Sequence, residues 1–420
     1  LGVAVGVLGR LLRLRLRGVR RRPSAAVDTP AGLARLDVAT AASASLGMLD
    51  PPRAFYFHLG ALELALRSRD SFRLLRVLLM EQVLRAVSRA ARPPTRGDEE
   101  VERLIRTVHA ELAPGDPWLT ALDGSFAFAL GLRHLFRGEP AAACAELARA
   151  EARLQDSPLQ LGNVLGMTRA WLATVLWIVG AWRRLREHVT RGLSDAHLRG
   201  DRFGALQLRQ WDMIFALFAD RADDAAAAHE RWVADVPRSA RVGDLTARPT
   251  LALYRGAGVG DEARRLLDAA WTVEYAILAR LSLLMGAATY FARGGACLAA
   301  AAVADAPARL LRRVEREART LARLRTPYAA PFAVALRAGA AAGAGARGRA
   351  EALLVEAEAG FVRLGMAMHV AAVRRRRGEL VGGAAGAELV ADADRVVAAE
   401  GVRSPERMLG TVLPGRWQKI

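Results

Sequence analysis

The sequence predicts an all-α chain of helical hairpins, and three observations carry that prediction. Apolar helices that end at tight turns alternate with polar, alanine-rich helices. The turns recur at near-regular intervals, and strand signals are scarce. The interval is clearest between Trp118 and Val236. A first apolar helix runs from Trp118 to Arg137 and turns at Gly138, and a second runs from Leu161 to Val179 and turns at Gly180. A third runs from Arg202 to Ala219 and turns at Asp220. These turns lie 42 and 40 residues apart, which marks a repeat whose hairpins bury their apolar faces on one another. Composition agrees: 52% of residues are hydrophobic and only 6% aromatic, with the helix formers Ala and Leu dominant.

Taken in order, residues 1–22 are an apolar, then arginine-rich leading helix or linker. Arg13, Arg15 and Arg17 alternate with leucines at a strand period, but the leucine-rich context favours a helix with arginine stems along its sides. This basic helix reads either as an anchor on an anionic surface or, with more support, as a first helix with solvated arginines. Residues 23–113 then form N-terminal hairpins, with helices expected at about 31–48, 53–68 and 71–91. Asp50-Pro51-Pro52 separates the first two, and Asp70 and Ser71 stand where the third needs an N-cap. A polar amphipathic helix from Gly97 to Leu112 opens on Asp98, Glu99 and Glu100, where the helix dipole favours acids.

Residues 114–260 hold the best-defined repeats. Trp171, Leu172, Val175, Leu176 and Val179 fall at helical spacing, as do Trp211, Ile214 and Phe215, and are expected to form the core. The second helices, Ala141–Leu154 and Ala222–Val236, carry the small residues that let hairpins approach closely. Residues 261–380 continue the array less regularly, with helices at about 276–303 and 305–325, a Gly/Ala-rich turn within 338–349, and a helix from Ala350 to Leu364. The run Arg374 to Arg377 is expected to end a helix at Gly378, where cations suit the dipole and need not touch anything else. Residues 381–420 form a capping segment: a loose turn at Gly382, Gly383 and Gly386, then a last helix from Ala387 to Glu400 with Gly401 as its C′ residue. The whole is predicted to be a tetratricopeptide-like helical-hairpin solenoid, a right-handed superhelix.

The formal charge of +18 raises the question of nucleic acid. Of the 61 basic residues one is lysine, Lys419, and the rest are arginine. That imbalance reads as codon bias in a GC-rich genome, and a nucleic-acid partner is not favoured. Cys144 and Cys297 have no metal-ligand spacing and read as small buried residues in a reducing compartment, the cytoplasm. The longest apolar runs, Ala170–Trp182 and Leu281–Ala292, are too short to cross a bilayer. Leu1 stands where a Met would begin a chain, and the basic residues follow the apolar stretch, so the order is wrong for a secretory leader. The chain reads as a piece of a longer product.

Catalytic patterns are missing from the sequence. With lysine only at position 419, neither a phosphate-loop lysine nor a kinase strand lysine is present. Gly256-Ala257-Gly258-Val259-Gly260 follows no strand and reads as an inter-helix turn. The histidines form neither a paired motif nor a Cys/His cluster, and no nucleophile elbow occurs. No catalytic residue, metal or cofactor is expected. If the first helices of the pairs line a concave face, their polar members Arg133, His134, Arg169, Arg209 and Asp212 are the candidate contacts for a protein or peptide partner.

Several stretches resemble the long C-terminal repeat region of large myxobacterial-type serine/threonine protein kinases. They are Leu11-Leu12-Arg13-Leu14-Arg15-Leu16-Arg17-Gly18, Ala34-Arg35-Leu36-Asp37-Val38, Leu176-Trp177-Ile178-Val179-Gly180, Leu198-Arg199-Gly200-Asp201, and Arg376-Arg377-Gly378-Glu379-Leu380 followed by Gly382-Gly383. The most specific is the closing stretch, Gly401-Val402-Arg403-Ser404-Pro405-Glu406-Arg407-Met408 followed by Leu413-Pro414-Gly415. In that family a kinase domain and a STAND-type AAA ATPase module precede the repeat arm. The resemblance implies ATP-binding kinase and ATPase domains in cis, upstream of Leu1, and a regulatory, protein-interaction role in signal transduction for this chain. The alternatives are the sensor arm of a STAND-type transcription regulator, a free-standing scaffold, or a nucleic-acid-binding helical repeat.

Overall fold

Local capping and turn chemistry sets the helix boundaries. The computed structural model describes residues 2–47, 50–89, 95–112, 117–156, 162–236, 244–256, 260–272 and 283–417. Every regular element among them is an α-helix, and consecutive helices pack on one another. None is long and apolar enough to cross a membrane. The chain divides into two compact units.

The first unit comprises the described residues of Leu1–His134 and Ala142–Leu172. It holds α1 (Gly2–Arg17), α2 (Pro30–Leu46), α3 (Pro51–Ala65), α4 (Ser71–Arg89), α5 (Arg96–Ala110), most of α6 (Pro117–Phe136) and α7 (Pro140–Gln155), and the start of α8 (Gly162–Val179). Helix starts follow the sequence signals. The Asp50 side chain accepts from the Arg53 N–H at 3.1 Å, and the Asp70 side chain accepts from the Arg73 N–H at 2.9 Å, each satisfying an orphan first-turn donor. Leu36, Leu62, Leu74, Leu75, Leu78 and Ile105 fill one core. The leading segment is a helix, as expected, and packs on α3. Its Leu8, Leu12 and Leu16, one turn apart, are exposed.

The second unit holds residues 135–141, the end of α8, and α9 (Trp182–Leu198), α10 (Arg202–Arg209), α11 (Asp212–Phe218), α12 (Ala222–Asp235), α13 (Asp244–Arg255) and α14 (Gly260–Ala270). It continues through α15 (Leu283–Val303), α16 (Ala308–Arg323), α17 (Ala329–Gly343), α18 (Arg347–Arg363), α19 (Ala367–Val381), α20 (Gly383–Ala399) and α21 (Pro405–Val412). Its turns share one design. Gly180, Gly200, Asp220, Gly345 and Gly365 all have positive φ. The residue after each donates to the carbonyl five residues back, as in Ala181 to Leu176, Arg221 to Ala216 and Met366 to Phe361. This is the Schellman arrangement that satisfies a helix's last carbonyls. Positions 180, 200 and 220 are 20 residues apart, as are 345 and 365, so one turn per helix subdivides the 40-residue interval seen in the sequence.

Three expectations are corrected. The third apolar helix is two helices, α10 and α11. The Trp232 indole takes the Leu206 carbonyl at 3.1 Å and the Gln210 side chain takes the Gln207 carbonyl at 2.6 Å. With those acceptors occupied, the Trp211 N–H turns to Leu208. The Gly/Ala-rich stretch 338–349 holds its turn, at Ala344 and Gly345. α17 runs up to that turn, and Gly294 and Gly339 let α15 and α17 meet: a Cβ on either would come within 2.4–2.5 Å of a leucine methyl group, on Leu336 or Leu298. α19 does not stop at Gly378 but runs to Val381, with a cap at Gly382 (φ +70°) and α20 starting at Gly383. Finally, the closing stretch forms a further helix, α21.

That closing stretch also reaches far back within the second unit. The Arg403 N–H donates to the Phe218 carbonyl at 2.8 Å, and Arg407 Nη1 donates to Asp220 at 2.6 Å. Glu400 accepts from the Arg183 N–H at 2.8 Å, at the start of α9. Likewise the Tyr328 hydroxyl donates to the Leu135 carbonyl at 2.7 Å. The turns flagged at Gly138, Gly180 and Asp220 therefore lie next to contacts with residues some two hundred positions later, in addition to the neighbour packing of a repeat.

Candidate interaction site

The five sequence-nominated contacts divide between the two units. In the first, Arg133 is half-buried and ion-paired to Glu102. His134 is half-buried and engaged with a partner. Arg169 is 3% exposed, with its Nε 2.9 Å from Glu151, so its guanidinium is committed inside the unit. In the second, Arg209 is exposed and stands 3.7 Å from Asp235. Asp212 lines a groove.

That groove, of about 490 Å³, lies between α9, α11 and α12. Its wall begins in an aromatic stack. Trp177 and Trp182 lie face to face at 4.9 Å, and Trp182 stacks on Phe218 at 4.9 Å. Trp177 and Trp182 flank the Gly180 turn, and the tight turn brings them into register; the Trp182 indole donates to the Trp177 carbonyl at 3.2 Å. Phe215 sits 6.0 Å from Phe218 and faces the groove. One turn after Trp182, the Arg186 guanidinium lies over both phenylalanines, 5.6 and 5.7 Å from their ring centres. Such cation–π contact holds a guanidinium in place while leaving its N–H donors free.

Among the described residues Arg186 and Arg231 make no ion pair, whereas Arg221 pairs with Asp224 at 2.9 Å. Asp212 sits among them, half-buried and without a direct hydrogen bond. Burial pushes its carboxyl above the usual carboxylate range, against the pull of Arg209 and Arg231. The groove thus presents two available guanidinium groups, a half-exposed aromatic ring and a shielded carboxyl. Guanidinium forks bind carboxylate or phosphate oxygens with good geometry, and the ring beside them supplies apolar contact. The arrangement suits a short acidic or phosphorylated peptide carrying an apolar residue.

Sequence reasoning found Asp212 but missed Arg186 and Arg231. Both sit on second helices of the pairs, and only first helices were taken to carry contacts. The signal that marks Arg186 is its position four residues after Trp182, which places it on the aromatic face of α9. The expected core stripe holds for Leu172, Val175, Leu176, Trp211 and Ile214, which are buried, while Trp171, Val179 and Phe215 are half-buried. Of the two cysteines, both free, Cys297 is buried, and burial raises its thiol pKa to about 11; Cys144 is only half-buried. No family model matches the chain, and no curated protein matches it.

Proposed function

We propose that this chain is a non-catalytic interaction and sensor arm of tetratricopeptide-like repeats, and that it regulates a serine/threonine kinase carried on the same polypeptide. The observation that carries the interaction role is the α9–α12 groove. It combines Arg186 and Arg231, which make no ion pair among the described residues, with Phe215 at one groove. The attachment to a kinase is supported by the closing stretch Gly401–Met408 and the other family-like segments. A partner seated in the groove acts on the kinase only through contacts that differ between two states of the parent.

Two experiments test this reading. The first reads the DNA upstream of the Leu1 codon in the same frame. A Gly-rich loop and catalytic loop support the kinase arm, and an in-frame stop close to Leu1 sinks it. The second captures partners with the wild-type chain and with the double variant Arg186→Glu, Arg231→Glu. A partner bound by the wild type and lost by the variant supports the groove; identical capture by both rejects it.

A further inference from the structure

A second concave surface lies in the first unit, between α1, α2 and α3, with a volume of about 790 Å³. Its floor is apolar. On α2, Ala31, Ala34 and Val38 fall at i, i+3 and i+7, all exposed, Val38 at 66%. Phe57 and Leu64 from α3 lie half-buried beside them. Residues this small on one face let another helix approach to the 8–10 Å axis separation of packed helices.

The rim is basic and mostly uncommitted. Arg10 is fixed: it lies over the Tyr56 ring at 4.6 Å and bonds Glu63 at 2.8 Å. Gly60 makes that possible, since a Cβ there would stand 2.9 Å from the Arg10 guanidinium. Arg13 shares Glu63 at 3.6 Å. Arg17, Arg35 and Arg67 are exposed and make no ion pair among the described residues. The one carboxylate on the groove is therefore already taken, and three guanidinium groups are left facing solvent around an apolar floor.

We infer that this groove docks an amphipathic helix with acidic flanks, supplied by a protein partner. The apolar face of that helix lies along Ala31, Ala34 and Val38, and its acids meet Arg17, Arg35 and Arg67. Charge complementarity selects the occupant: the surplus cations call for an anionic partner, and the concave apolar floor calls for a helix ridge. The inference does not depend on the α9–α12 groove, and the two are separable by mutation.

The test is fluorescence anisotropy on the full chain. The probe is a labelled synthetic peptide of about 18 residues with leucines at i, i+3 and i+7 and glutamates on both flanks. A scrambled peptide of the same composition is the control. The expected result is one-to-one binding of the amphipathic probe, at least ~tenfold tighter than the control. Val38→Glu should weaken it by ~tenfold or more with an unchanged urea midpoint, and Arg35→Glu with Arg67→Glu should weaken it and flatten its salt dependence. Equal binding of the scrambled peptide overturns the inference, because charge alone is then at work. So does competition by phosphatidylglycerol-containing vesicles that exceeds the probe's own binding, which would mark a lipid surface. Loss of binding in Leu8→Ser, Leu12→Ser, Leu16→Ser while Val38→Glu still binds also overturns it, because the exposed leucine ridge is then the site.

Discussion

The arginines at the two ends of the chain have opposite fates. Arg374 to Arg377 on α19 are all engaged. Arg374 and Arg377 share Glu358 at 2.6 and 2.9 Å; Arg375 bonds Glu379 and Asp394; Arg376 bonds Glu379 and the Leu413 carbonyl. Arg375 and Arg376 are only 6% and 8% exposed. Arg17, Arg35 and Arg67, by contrast, are exposed and make no ion pair among the described residues. The four-arginine run therefore does touch other groups, though the helix dipole alone did not require it. A buried guanidinium requires a counterion and acceptors, so the density of basic residues along a sequence does not show which of them remain available to a partner. His369, on the same α19, gives the third outcome. It packs among Phe291, Phe332 and Phe361 with no partner for Nδ1, and burial holds its pKa down to about 4. Without an acid beside it, the group gives up its charge.

The contrast can be broken most severely at Glu379. It is the one carboxylate on Arg376 among the described residues. Glu379→Leu should cost ~3–5 kcal/mol in urea unfolding, since it leaves a buried guanidinium without its anion. Next comes pH. The folded-state pKa of His369 lies below the unfolded value near 6.5, so the unfolded chain binds the extra proton. Stability is then full above about 6.5 and falls as pH drops toward 4, by up to roughly 3 kcal/mol. His369→Phe should remove that part of the pH dependence; an unchanged slope would mean the ring charges without penalty. Gly378→Ala tests the helix contact that carries the arginine run past its expected stop. A Cβ there would stand 2.5 Å from the Gly386 carbonyl oxygen, and the expected loss is ~1–3 kcal/mol, because backbone cannot move aside as a side chain does. The smallest effect belongs to the other end of the chain: Arg35→Ala should change the unfolding free energy in urea by less than ~0.5 kcal/mol. A larger loss would show that the rim arginines are structural after all.

What the sequence by itself determined is local. All-helical structure, the turns at Gly138, Gly180 and Asp220, and the cap at Asp70 could be read directly, because each depends on bonds spanning only a few residues. The positive φ of Asp220 shows the limit of such reading. An aspartate tolerates that conformation, and here its carboxylate also accepts from Tyr254 and from Arg407, 34 and 187 residues away. Tertiary structure alone decided the rest: where the third helix breaks, that Gly378 sits inside a helix against Gly386, and which arginines are spent. It also decided that Arg186 and Arg231 would join Asp212 at one groove while Arg133 and Arg169 were committed to ion pairs in the other unit. The physical reason is range. Hydrophobic period and turn chemistry act within one helix, whereas pairing a charge depends on which distant carboxylate the packed helices bring to it.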